Sequence, residues 1–217
     1  MNINEVASTL SVSWLDEIQE RSSNFVKLMT YYKCAMMEIE TKFKVLDAEF
    51  SFQHDRNPIS GVKCRLKSLG SIMEKLNRKQ LPCTLAAMEQ NINDIAGVRV
   101  CCSFIDDVYM LADSLLSQDD VTLIDCKDYI KHPKANGYRS LHLIVGIPIF
   151  LANEKHIMKV EIQLRTIAMD FWASLEHQLR YKKEADFTAE MANELLYCAE
   201  QSSNLDNRMN GLRNMLQ

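Results

Sequence analysis

Two acidic residues stand where strand-like sequence would place a carboxylate among apolar neighbours. In INDIAGVRVCCSF (92–104), Asp94 lies at the entry to a strand, with Gly97 and Arg99 following. In MKVEIQLRT (158–166), Met158, Val160, Ile162 and Leu164 alternate with Lys159, Glu161, Gln163 and Arg165, so Glu161 sits in mid-strand on the polar face. A carboxylate held there is expensive unless a cation or a proton occupies it. Mg²⁺ uses one or two protein carboxylates and completes its shell with phosphate and water, so Asp94 and Glu161 suffice if their strands are neighbours. The plainer reading pairs Glu161 with Lys159 or Arg165 on its own face.

A phosphate-bearing partner is suggested by GVKCRLKSLGSIMEKLNRK (61–79). Val62, Cys64 and Leu66 alternate with Lys63, Arg65 and Lys67, which gathers three cations on one strand face. Ser68 is a plausible N-cap for a following helix, on which Ser71, Lys75 and Arg78 share a stripe. Like charges side by side on a strand repel unless a polyanion bridges them, and a triphosphate would do so. No glycine-rich phosphate cradle occurs, so side chains must hold the phosphates. The alternative is an ordinary solvated face.

A third cluster, DYIKHPKANGYRSLHLIV (128–145), holds Lys131, His132, Lys134, Asn136, Tyr138, Arg139 and His142 between apolar runs. Pro133 and Asn136-Gly137 are enough for a turn. The remaining residues suit an anion that carries a flat ring. In TIAMDFWASLEHQLRYKK (166–183), Thr166 caps a helix bearing Asp170, Glu176, His177 and Tyr181. No second histidine completes a HExxH zinc motif, and Trp172 reads as core.

These clusters need a frame. Strand-like runs at roughly 61–67, 97–104, 121–129, 140–148 and 157–165, with helices near 69–80, 106–117 and 167–183, predict one α+β domain. A long helix over 22–50, opened by Ser22-Ser23, carries Tyr32, Met36, Ile39, Phe43, Leu46 and Phe50 in a seven-residue repeat. That seam would meet another subunit or lie on its own domain. A second helix, 188–217, is capped by Thr188 and bears Leu195, Leu196, Ala199, Leu205, Met209, Leu212 and Met215. The organisation expected is a helical extension over 1–50, a catalytic domain over 51–183 and a C-terminal oligomerisation helix over 184–217.

Composition removes several classes of function. A net charge of −4 and a pI near 5.8 argue against a protein that coats nucleic acid, so RNA would enter only as a modulator. No apolar run reaches the length of a membrane span, and no basic-then-apolar leader pattern opens the chain. Seven cysteines without a CxxC pair read as reduced thiols, which points to the cytoplasm.

The motifs INDIAGVR, DYIKHPKANGYRSLH and EIQLRTIAMDFWASLEHQLRYK closely resemble the synthetase domain of the RelA/SpoT homologues, and more narrowly a small alarmone synthetase of the RelP type. The likeness runs from about residue 22 to 210. It implies a nucleotidyltransferase-like fold, a mixed five-stranded sheet flanked by helices, with N- and C-terminal helical extensions. It also implies transfer of pyrophosphate from ATP to the 3′-hydroxyl of GDP or GTP, giving AMP and guanosine tetra- or pentaphosphate, (p)ppGpp, without a hydrolase activity. By the resemblance, Arg65 and Arg99 sandwich adenine, while Lys67, Ser71, Lys75 and Arg78 contact ATP phosphates. Asp94 and Glu161 hold Mg²⁺, and Glu161 is the base for the acceptor hydroxyl. Tyr138 stacks on guanine, Lys134, Arg139 and His142 lie at acceptor phosphates, and Gln163 and Asp170 stand near the acceptor. A closed homotetramer is implied as well. The competing readings are a pyrophosphotransferase for another acceptor and a non-catalytic guanine-nucleotide sensor.

Overall fold

The polar and apolar faces of one mixed sheet divide the molecule into a cleft side and a core side. The computed structural model describes residues 3–53, 57–181 and 187–216. Helix α1 (Ile3–Gln53) leads into β1 (Ile59–Leu66), followed by α2 (Leu69–Arg78), α3 (Leu85–Asn91) and β2 (Ala96–Cys102). Helix α4 (Ile105–Leu116) precedes β3 (Thr122–Asp128), β4 (Leu141–Phe150) and β5 (Lys155–Thr166). Helices α5 (Ile167–Tyr181) and α6 (Ala189–Asn214) close the order. The expected five strands form one sheet in the order β1-β2-β5-β4-β3, in which β2 and β5 are parallel and the other pairs antiparallel.

The period-two pattern of β5 is realised residue by residue. Met158, Val160, Ile162 and Leu164 are buried, whereas Lys159, Glu161 and Gln163 are half-buried on the opposite face. Strand β2 alternates likewise, with Val98 and Val100 buried and Gly97, Arg99 and Cys101 on the polar side. Local capping follows the sequence: the Ser68 hydroxyl accepts from Ser71 N at 3.3 Å, and Thr188 accepts from Met191 N at 3.2 Å. Thr166 accepts from Met169 N at 3.2 Å in the first turn of α5. Helix α3, absent from the sequence-based expectation, is only two turns long; its signal is the Thr84 cap, which accepts from Ala87 N at 3.2 Å.

The long helix requires two corrections. It begins at Ile3, so Ser22-Ser23 lie inside it and do not open it. Its seven-residue seam is also not a free surface. Tyr32, Ile39 and Phe43 are at most 2% exposed and belong to the main core with Val98, Val160 and Ile162. The seam packs on the sheet's apolar face, and each large side chain buried there contributes about 1.5–3 kcal/mol. The plain reading, a helix covering its own domain, therefore holds for this stripe.

Apolar surface remains elsewhere. On α5, Met169, Trp172 and Ala173 are buried, but Ile167, Phe171, Leu175 and Leu179, spaced by four, are 42–64% exposed. On α6, Ala199 is buried while Leu205, Met209, Leu212 and Met215 are exposed. Trp172 is core, as expected, and its Nε1 donates to Leu195 O at 2.9 Å, joining α5 to α6. All seven cysteines are free. Among the described residues no helix is long and apolar enough to cross a membrane.

Candidate active site

The parallel pairing of β2 with β5 sets Gly97 beside Glu161 and Arg99 beside Gln163. The antiparallel pairing of β1 with β2 sets Arg65 opposite Gly97 and Lys63 opposite Arg99. The polar face of three adjacent strands thus becomes the floor of a cleft of about 340 Å³, lined by Lys63, Arg65, Lys67, Asp94, Gly97, Arg99, Glu161 and Gln163. Residues far apart in the chain meet here because the two carboxylate-bearing segments are neighbours in the sheet. Gly97 leaves the floor low between Arg65 and Glu161.

Asp94 is held by two cations from the basic segment. Lys67 Nζ lies 3.0 Å from Oδ2 and Lys75 Nζ 2.8 Å from Oδ1. Burial pushes the Asp94 carboxyl up, but the hydrogen bonds and charges of the two lysines outweigh it and hold the group below its ordinary value. Ser71 lies in the first turn of α2, where its hydroxyl accepts from Ser68 Oγ at 3.0 Å. Arg78 is exposed in the last turn of α2 and does not line the cleft.

Glu161 does not pair with Lys159 or Arg165. Lys159 instead donates to the carbonyls of Glu89 and Gln90, at 2.9 and 3.2 Å, bracing the end of α3 near Asp94. The partners of Glu161 are His142 Nδ1, 3.4 Å from Oε1, and Gln163 Nε2, which donates to Oε2 at 2.9 Å. Burial pushes the Glu161 carboxyl up, and the hydrogen bonds from His142 and Gln163 more than offset it, so it too lies below its ordinary value. Asp94 is close enough for its charge to be felt at Glu161.

The 129–140 loop between β3 and β4 brings an aromatic group to the edge of this cleft. Asp128 Oδ1 accepts from the Ile130 and Lys131 backbone amides, both at 3.0 Å, and so turns the chain. Gly137, at φ +86°, completes the reversal. Tyr138 then stands beside His142, its hydroxyl 2.7 Å from Nε2. The Lys134 ammonium rests 4.6 Å from the Tyr129 ring centre and 4.8 Å from that of Tyr138. Arg139 is turned toward α6, where it lines a shallow cavity with Trp172, Ala199 and Asp206.

Asp170, in the first turn of α5, joins the two halves. Its Oδ1 accepts from Arg99 Nη1 at 3.3 Å and from Arg165 Nη1 at 3.1 Å. Arg165 is the functional candidate that sequence reasoning treated only as a possible partner of Glu161. It is 4% exposed and reaches Tyr138, Gln163 and Asp170 at once. The signal was available, since Arg165 follows Glu161 and Gln163 on the same strand face.

Two ionised oxygen ligands on one cleft floor match the hard-cation preference of Mg²⁺. Among the described residues no group of three or more His, Cys, Asp or Glu side chains could hold a metal. A cation at Asp94 and Glu161 would therefore need phosphate or water to complete its shell. The whole arrangement can neutralise a polyphosphate on one side and receive a proton on the other.

Comparison with known proteins finds relatives along most of the chain. The region found in RelA / SpoT proteins matches residues 64–186. GTP pyrophosphokinase YwaC of Bacillus subtilis (strain 168) is 43% identical over 204 residues, spanning 94% of this chain and 97% of that protein. The crystal structure of small alarmone synthetase 1 from Bacillus subtilis bound to its product pppGpp superposes with a TM-score of 0.83 at 36% identity, over 89% of this chain and 98% of that one. The same synthetase bound to AMPCPP gives a TM-score of 0.76 at 33% identity, over 90% and 98% of the two chains.

Proposed function

The chain belongs to the RelA/SpoT family as a small alarmone synthetase, and from that premise we propose how its residues carry out (p)ppGpp synthesis. It is a GTP pyrophosphokinase: the β,γ-pyrophosphate of ATP moves to the 3′-hydroxyl of GDP or GTP. The acceptor oxygen forms a bond to the β-phosphorus of ATP, the bond from that phosphorus to the α-phosphate bridging oxygen breaks, and AMP leaves with the electron pair. The hydroxyl proton goes to Glu161. The observation that carries this assignment is a half-buried Glu161 kept ionised beside both a cation wall and the Tyr138 loop.

Each residue role follows from what its side chain can do. Arg65 and Arg99 are diagonal neighbours on adjacent strands of the cleft floor, and planar guanidinium groups stack on a purine in a way that ammonium groups do not. Lys67 and Lys75 now neutralise Asp94, and the same ammonium groups are within reach of phosphates placed over it. Ser71 and Arg78, on the same helix, extend that wall outward. Tyr138 offers a ring for guanine, and Lys134, which rests on that ring, can pass to an acceptor phosphate, with Arg139 and His142 further along the same loop and strand. Gln163 and Asp170 complete the acceptor side.

Asp94 and Glu161 would hold Mg²⁺, which supplies charge neutralisation for the pyrophosphoryl oxygens. The residues themselves position, exclude alternatives and take the proton. A ribose hydroxyl is a poor nucleophile near neutral pH, so an ionised carboxylate in hydrogen-bond reach accelerates its attack.

We keep the division into residues 1–50, 51–183 and 184–217 as a working description, although α1 is part of the core. Assembly into a homotetramer would use the exposed stripes of α5 and α6 in place of the buried α1 seam. The free cysteines favour a cytoplasmic setting. The deciding experiment is incubation with ATP, Mg²⁺ and GMP, GDP or GTP in turn, followed by separation of products. AMP released in step with a guanosine 3′-pyrophosphate supports the assignment. Formation of ADP, or no AMP, rejects it.

A further inference from the structure

Arg165 is a buried guanidinium near the C-terminal end of β5, on the strand face that carries Glu161 and Gln163, and its hydrogen bonds run in one direction only. Its Nη1 donates to Asp170 Oδ1 at 3.1 Å. Its Nη2 has two hydrogens and two acceptors: the Tyr138 hydroxyl at 2.7 Å and Gln163 Oε1 at 2.9 Å. A guanidinium can donate but never accept, and an ionised carboxylate can accept but never donate. Between those two ends an unbroken chain of hydrogen bonds runs one way, from guanidinium to carboxylate.

The first branch runs through Gln163. Because its Oε1 receives from Arg165, its amide nitrogen is left facing Glu161 Oε2, to which it donates at 2.9 Å. The second branch runs through Tyr138. Its hydroxyl accepts from Arg165 and keeps one hydrogen to give, for which His142 Nε2, 2.7 Å away, is the acceptor in line with the chain. A nitrogen that accepts carries no proton, which leaves the proton on Nδ1, the atom 3.4 Å from Glu161 Oε1. The two branches thus leave one nitrogen of Arg165 and arrive on the two oxygens of Glu161.

We propose that Arg165 is a positioning residue for pyrophosphate transfer: it sets the direction of both hydrogen-bond chains and thereby fixes the Nδ1–H tautomer of His142 and the orientation of Gln163 around Glu161. This rests on reading Glu161 as the group that faces the acceptor hydroxyl. With both oxygens receiving hydrogen bonds, the carboxylate is held in one rotamer, each oxygen keeping lone-pair capacity for an incoming hydroxyl. Tyr138 has a double use. Its ring serves the base and its hydroxyl serves the relay, so seating of guanine on the ring and alignment of Glu161 are mechanically joined. If Tyr138 served only as a stacking ring, removal of its hydroxyl would be mild. The relay predicts otherwise.

The test is spectroscopic first and kinetic second. Protein labelled with ¹⁵N in its imidazole rings is examined by long-range ¹H–¹⁵N correlation at about pH 8, above the ordinary histidine range. The His142 signals are identified by their loss in His142→Gln. The expected wild-type spectrum has Nδ1 protonated and Nε2 bare, whereas in Tyr138→Phe the single tautomer gives way to exchange between two. Arg165→Met is expected to do the same, but it also strips a partner from Asp170 and can disturb folding; Tyr138→Phe removes one oxygen and leaves Asp170 paired. In turnover, Tyr138→Phe is expected to lower kcat about tenfold with KM for ATP unchanged. A wild-type His142 carrying a proton on Nε2, or an unchanged tautomer and kcat in Tyr138→Phe, overturns the proposal. The spectrum is read without substrates, so it decides the relay even if the wild-type protein makes no AMP, a result that would overturn the activity instead.

Discussion

Gly137 and Ala199 are in direct apposition: a Cβ added at position 137 would lie 2.4 Å from the Ala199 Cβ. The C-terminal helix α6 is therefore seated on the turn that presents Tyr138. This contact explains why the turn takes glycine for two reasons, its φ of +86° and the absence of room.

Gly137→Ala should destabilise the fold by about 2 kcal/mol, combining left-handed backbone strain with overpacking. It should also weaken guanine-nucleotide binding more than ATP binding, since the displaced turn carries Tyr138. Ala199→Gly in the same chain should recover part of the loss by reopening the space. Thermal unfolding and separate KM values for the two substrates check this, and equal effects on both nucleotides would reject the link from α6 to the acceptor side.

Asp94→Asn and Glu161→Gln should each lower turnover by at least about 10²-fold while the circular dichroism spectrum is retained. Each keeps the side-chain shape and removes the charge needed for a cation or a proton. Either amide variant with near wild-type kcat would exclude that carboxylate from the chemistry.

Tyr138→Ala should weaken the acceptor by about 1–3 kcal/mol, the range for loss of a base from an aromatic platform, with ATP affinity little changed. Calorimetric titration with a guanine nucleotide and with a non-hydrolysable ATP analogue separates the two.

Phe43→Ala should cost about 3–5 kcal/mol because its side chain is fully buried between α1 and the sheet. The loss should appear in the unfolding midpoint. Phe171→Glu, on the 64%-exposed side of α5, should leave the midpoint of the chain's own unfolding nearly unaltered and instead lower the mass seen in sedimentation toward the 25.0 kDa of one chain. A wild-type protein already sedimenting as one chain would remove the tetramer from consideration.

Asp206 gives a pH dependence of definite sign. Burial pushes its carboxyl above the ordinary value, only partly opposed by the hydrogen bond from Thr166 and the charge of Arg139. The folded protein then holds that proton more tightly than the unfolded chain. Stability from this group is present below the ordinary carboxylate range and falls as pH rises through the folded value. Asp206→Asn can still accept from Thr166 Oγ1, now 2.6 Å from the carboxylate, without carrying a charge. Relative to wild type it should gain stability by denaturant unfolding as pH rises above the ordinary carboxylate range of about 4. A difference that does not change with pH would show that the charge is fully compensated.

The sequence by itself determined the composition of the site and the faces of the strands. Period-two alternation at 61–67 and 158–165 requires the cations on one side of β1 and Glu161, Gln163 and Arg165 on one side of β5, because successive strand residues point oppositely. Ser68 and Thr188 announced their helices through local hydrogen bonds that need no tertiary partner. Only the tertiary structure decided which strands are neighbours, and hence that Asp94 and Glu161 share a cleft, since strand order is a non-local property. It also decided what the seam of α1 touches: an apolar stripe reads the same whether it faces a sheet or another subunit, and the sheet's own apolar face claims it here. The same holds for Arg165. Its place on the polar face was visible, but its role as a donor to Tyr138, 27 positions away in the chain, depends on β4 lying beside β5 and on a loop held by α6.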